Sequence, residues 1–141
     1  MILYLDTSAL VKLYARENHT LDVRRWVRKA EAIATSVVAY AEARAAFARA
    51  LRSGDSSERE HQRRVVQFNR DWVAFMKIEL LPTIARNAGE LAELHALRGF
   101  DAIHLASGLW LRDKAGEDFL FAAFDHRLCI GVDAVGMALA R

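Results

Sequence analysis

Four acidic residues stand where a carboxylate can do chemistry. Asp6 closes the apolar run "ILYL" and is followed by Thr7 and Ser8. Glu42 sits in "VVAYAEARAAF", Asp101 in "GFDAIHLAS", and Asp125 ends "FLFAAF" just before "HRL". Aspartate is also a favoured helix N-cap, so Asp6, Asp101 and Asp125 each have a structural explanation beside the functional one. Thr7 and Ser8 can cap a helix themselves, which would free Asp6. Asp101 has apolar surroundings, where an uncompensated carboxylate is costly. His104, three residues on, shares its helical face and reads as a packing or supporting residue rather than a ligand. Glu42 is ambiguous. Tyr40, Ala43, Phe47 and Leu51 form one face, and at about 100° per residue Glu42 falls opposite them, near Arg49. From that helix alone it reads as a solvated glutamate, although the neighbouring alanines leave its carboxylate unobstructed.

Carboxylates gathered in one place repel one another. They stay ionised only if cations neutralise them; otherwise some take up protons. All-oxygen donor sets suit Mg²⁺ or Mn²⁺. Such ions activate water, polarise phosphorus and stabilise a leaving oxygen, which is the chemistry of phosphodiester hydrolysis.

The elements between the acids decide whether they can meet. "ILYL" (2 to 5) reads as a buried strand, followed by helix over 8 to 15 with Leu10, Leu13 and Tyr14 at helical spacing. Thr20 caps a helix to about Ala30, "AIAT" (32 to 35) is a strand, and Ser36 opens an alanine-rich helix to about Arg52. "SGDSS" is the clearest loop. Ser57 and Glu60 form a capping-box pattern for a helix to about Lys77. "IELL" (78 to 81) reads as strand, Pro82 and Thr83 start a helix to about Leu97, and Asp101 begins an apolar helix to about Arg112. "FLFAAF" (119 to 124) is the best strand, with a helical turn through Leu128 behind it. The tail from Gly131 reads as a short strand near Val132 and a fraying helix. Alternating strands and helices predict an α/β fold, a short parallel sheet of about four or five strands sandwiched by helices, in one domain over 1–141. Ligands of such sheets bind outside the carboxyl ends of the strands, where Asp6 and Asp125 both lie.

Composition agrees with one folded domain. The chain has 141 residues, 53% of them hydrophobic and 27% charged, with a single proline. No apolar run reaches the ~20 residues that cross a bilayer. The start carries no basic, cleavable leader, and the lone Cys129 can form no internal disulfide; both point to a cytoplasmic setting. Net charge is +2, but residues 16 to 70 hold twelve Arg/Lys against seven Asp/Glu. A basic flank beside an acidic centre suits a polyanion, with Arg49 and Arg52 as candidate contacts, although helix surfaces are commonly charged for no such reason.

The ordered set "LDTSAL", "VVAYAEARAAF", "GFDAIHLAS" and "FAAFDHRL" resembles the PIN-domain ribonucleases, and closely the VapC-type toxins of bacterial toxin–antitoxin pairs. The resemblance spans the chain. It implies a parallel sheet between helices, Mg²⁺- or Mn²⁺-dependent RNA cleavage, a homodimer, and inhibition by a VapB-type antitoxin. By resemblance, the acidic quartet maps onto Asp6, Glu42, Asp101 and Asp125, with Asp6 and Asp101 as the most direct metal ligands. Thr7 or Ser8 would contact a phosphate or water. One departure stands out: relatives often carry Thr or Ser two residues before the last aspartate, and here that residue is Ala123. Two other readings remain. A haloacid-dehalogenase-like phosphatase also begins with an apolar strand and an aspartate, but it needs a second acid where this chain has Ser8. A PIN-like domain that binds RNA or protein without cutting is the other.

Overall fold

The computed structural model describes residues 1–116 and 118–141. The chain begins β1 (Ile2–Leu5), α1 (Thr7–Val11), α2 (Thr20–Lys29), β2 (Ala32–Ser36), α3 (Ala39–Ser53) and α4 (Glu58–Trp72). It continues β3 (Met76–Ile78), α5 (Pro82–His95), α6 (Gly99–Ala115), β4 (Phe119–Ala122) and α7 (His126–Ala134). The four strands form one parallel sheet in the order β3-β2-β1-β4. Helices cover both faces, as the alternating pattern requires.

Strand β1 shows why. Its side chains alternate, so Leu3 and Leu5 face one core and Tyr4 the other. The first core joins α1 to α4 through Leu10, Val23, Trp26, Phe47 and Phe68. The second joins α5, α6 and α7 through Leu91, Leu105, Phe121, Leu128 and Val132. Each fully buried Leu or Phe among them contributes about 1.5–3 kcal/mol. The small side chains of α6 let it lie close on the sheet: a Cβ at Gly108 would meet the Phe121 ring at 2.7 Å.

Element ends depart from the sequence pattern for local reasons. Helix α1 stops at Val11 rather than running to residue 15, because the amides of Lys12, Leu13 and Tyr14 bond three residues back to Ala9, Leu10 and Val11. Ser36 ends β2 instead of opening α3. Helix α4 ends at Trp72, where the Lys77 Nζ donates to the carbonyls of Trp72 and Val73. Only Ile78 of "IELL" is strand, since its register with Ser36 uses up the last residue of β2. Helix α6 starts at Gly99, ahead of Asp101, and β4 stops at Ala122. The tail is corrected most. Residues 126–134 form a helix that buries Val132, and the strand-like contact comes later, where Leu139 pairs with Phe121 along the outer edge of β4. The capping box at Ser57 and Glu60 forms as the sequence indicates.

Candidate active site

All four acids line one cavity of about 350 Å³ at the carboxyl ends of β1 and β4. They arrive from separate directions: Asp6 from the end of β1, Glu42 from the first turn of α3, Asp101 from the first turn of α6, and Asp125 from the loop after β4.

Asp6 is almost fully buried. It does cap α1, but both bonds fall on one oxygen: Oδ1 accepts from the Ala9 amide at 2.9 Å and from the Ser8 hydroxyl at 2.7 Å. The other oxygen takes no part in capping. Burial pushes this carboxyl above its ordinary range, and the nearby Asp101 charge adds to the rise. The pull of His104 and the two hydrogen bonds only partly offset it.

Glu42 is not a solvated glutamate. Its side chain is 26% exposed and belongs to a buried polar chain. Thr7 donates to Glu42 Oε1 at 2.6 Å, and His104 Nε2 lies 2.9 Å from the same oxygen and 3.0 Å from the Thr7 hydroxyl. An ionised carboxylate only accepts, so Nε2 carries a proton shared between Glu42 and Thr7. The other ring nitrogen, Nδ1, is 2.9 Å from the Tyr4 hydroxyl, inside the core. Burial raises the Glu42 carboxyl, but the bonds from His104 and Thr7, with the His104 charge, outweigh it and leave it below its usual value. The two acids nearest the core are thus shifted in opposite directions, Asp6 upward by burial and Glu42 downward by the bonds that outweigh its burial.

Asp101 and Asp125 are tied to one cation. Arg98 Nε lies 3.3 Å from Asp101 Oδ2, and Arg98 Nη2 lies 3.9 Å from Asp125 Oδ2. Asp125 Oδ1 also caps α7 through the Leu128 amide at 3.0 Å. Among the described residues, no three His, Cys, Asp or Glu side chains converge as a closed metal cage would. The donor set nevertheless fits a hard cation. Four carboxylates share one cavity, one is strained by burial, and a guanidinium already sits between two others.

Thr7 and Ser8 line the cavity, but their hydroxyl protons go to Glu42 and Asp6 rather than to open space. Arg49 lines the cavity, and also a neighbouring cleft with Arg16 and Arg64. Arg52 lines neither cleft. Tyr4, Lys12 and Arg98 escaped the sequence reading. Tyr4 had a signal: a phenol inside an apolar strand needs a polar partner, and "AIHLAS" offers His104. Lys12 and Arg98 carry none, since each is one basic residue among twenty.

The PIN domain family profile matches residues 3–129. The chain is 37% identical over 139 residues to Ribonuclease VapC45 of Mycobacterium tuberculosis, covering 99% of this chain and 94% of the relative. It is 32% identical over 146 residues to Ribonuclease VapC47 of the same organism, covering 99% and 96%. Among solved structures, it superposes with a TM-score of 0.70 on Mycobacterium tuberculosis VapC20, described as a sarcin-ricin loop cleaving toxin, at 19% identity and covering 99% and 98% of the two chains.

Proposed function

From its membership of the PIN-domain family, and within it of the VapC ribonuclease toxins, we propose that this chain hydrolyses RNA with Mg²⁺ or Mn²⁺ held by Asp6, Glu42, Asp101 and Asp125. The observation that carries this reading is the meeting of four acids, far apart in sequence, in one cavity. A bound divalent cation would supply charge neutralisation and an activated water. The chain's own groups do the rest. Asp6, capped through Oδ1, offers its other oxygen as a ligand. Thr7 and His104 hold Glu42 by Oε1, and we assign its Oε2 to orienting the attacking water. Hydrolysis adds the hydroxyl of water to phosphorus, breaks one P–O bond, and delivers a proton to the leaving ribose oxygen.

Arg98, whose side chain is 82% exposed, would release Asp101 and Asp125 to a bound cation. Arg49 guides the RNA strand toward the acids; Arg52, outside the cavity, has the weaker case. A VapB-type antitoxin is the proposed partner, in keeping with structural neighbours such as a Klebsiella pneumoniae toxin–antitoxin complex, which aligns at a TM-score of 0.62 and 17% identity and covers 87% and 86% of the two chains. A homodimer is the expected assembly. Among the described residues, no helix is long and apolar enough to cross a membrane.

The test is a set of charge-removing substitutions, Asp6→Asn, Glu42→Gln, Asp101→Asn and Asp125→Asn, each assayed for RNA cleavage and RNA binding. Each should lower the cleavage rate by at least about 100-fold while leaving binding within a few-fold. Full activity in two or more of them would remove the four-acid site.

A further inference from the structure

Phe124 stands next to Asp125 and anchors a set of parallel rings outside the acid cavity. Trp26 lies against it with centroids 6.0 Å apart and planes 17° apart; His19 does so at 5.0 Å and 21°. Lys12, which lines the acid cavity, holds its ammonium 4.8 Å from the centre of the Phe124 ring. Phe124 and Lys12 therefore link this cluster to the acids. Trp26 is buried and Phe124 half-buried, but the His19 side chain is 57% exposed.

Backbone, side chain and ring of His19 each have a defined setting. Its φ is +68°, the left-handed region that L side chains rarely adopt. Its Nδ1 lies 3.2 Å from Asp22 Oδ2, and its ring is seated on Phe124. Glycine or asparagine would take that backbone more readily, yet neither presents a ring. The same three rings border a cleft of about 510 Å³ that also carries Arg25 and Arg141, each paired with an aspartate. A preset aromatic surface open to solvent is the arrangement on which single-stranded nucleic acids stack their bases.

We propose that the His19 ring is a stacking platform for one nucleobase of the RNA strand whose scissile phosphate lies at the acids. The inference rests on the ribonuclease reading and adds a positioning subsite to it. Every base has a π-face, so the platform fixes the strand's path more than its sequence.

The experiment uses the uncut complex. In an Asp6→Asn background with Mg²⁺, short single-stranded RNAs carrying 2-aminopurine at one position each are titrated with protein, and affinity and fluorescence quenching are read together. His19→Asn removes the ring and tolerates the left-handed backbone; His19→Tyr restores a ring. With His19 present, one position should be strongly quenched. His19→Asn should abolish that quench and weaken binding about tenfold, and His19→Tyr should recover both, with melting temperatures unchanged. Equal quenching and affinity in His19→Asn would overturn the platform. So would a His19→Tyr variant of normal melting temperature that recovers neither quench nor affinity, since an aromatic ring at this position would then not be what the base needs. Absence of RNA binding by the parent protein overturns it as well. Failure of the ribonuclease reading looks different: the unsubstituted enzyme would bind RNA with a His19-dependent quench and never cut it.

Discussion

Asp6 caps α1 through one oxygen only. The other is left for the proposed ligand role, so cap and ligand are not rival explanations. Holding that carboxylate in the core has a cost that depends on pH. Its pKa is raised by burial in the folded state, so the folded chain holds the proton more tightly than the unfolded one. The stability this contributes is complete at low pH, and it is lost as pH rises from the ordinary aspartate range through the raised folded value. Asp6→Asn never ionises and escapes the loss. In EDTA, its stability relative to wild type should therefore climb across that window and then level off. Glu42 has the opposite sign, losing its contribution as pH falls through its lowered folded value. It is common to both proteins and cancels in the difference. Mg²⁺ should then stabilise wild type and not Asp6→Asn, because a ligand stabilises only the state that binds it. Denaturant unfolding across pH measures all of this, and a difference that stays flat with pH would mean that burial does not strain the carboxylate. At this scale the sequence was partly legible. Asp6, Asp101 and Asp125 announce themselves by ending strands or opening helices. Glu42 does not, because helical periodicity separates only the two faces of α3 and says nothing of the crevice that its polar face borders. The missing hydroxyl at Ala123 leaves Asp125 capping α7 and facing Arg98 without a neighbouring side-chain donor two residues before it.

Element packing decides how firmly these groups are held. Helix α6 carries both Asp101 and His104, and it lies on β4 through Gly108. A Cβ there would come within 2.7 and 2.8 Å of the Phe121 ring, which is fully buried and stacked on Tyr4 at 4.8 Å. The ring has nowhere to turn, so Gly108→Ala should destabilise the fold by about 1–3 kcal/mol, the usual cost of overpacking a filled core. A melting temperature equal to wild type would show that α6 can lift off the sheet at no cost. Local signals read these elements well where the chemistry is local: the Ser57 capping box, Pro82 at the start of α5 and the buried strand "ILYL" all form as written. They fail where the deciding partner is distant. Strand β3 is set by the last residues of β2, and the path of the tail by the free edge of β4. Neither of these partners is adjacent in sequence.

In the whole molecule, the parallel sheet brings four acids from the two ends of the chain to one edge, and basic residues surround them. The α/β class and the strand-end location of the site follow from alternation alone. The strand order does not, since nothing in the sequence places β4 beside β1. The net charge of +2 hides the division that matters, an acidic cavity with Arg49 on its rim. The claim that this cavity is a metal-dependent ribonuclease site meets its plainest test in one incubation. Purified chain, freed of any antitoxin, is mixed with total RNA in Mg²⁺, in Mn²⁺ and in EDTA, beside Asp6→Asn under the same conditions. Cleavage by the wild type with either metal, absent in EDTA and absent in Asp6→Asn, is the expected result, and the mapped ends would identify the substrate. Cleavage that survives EDTA and Asp6→Asn, or no cleavage by the folded wild type with either metal, would contradict it.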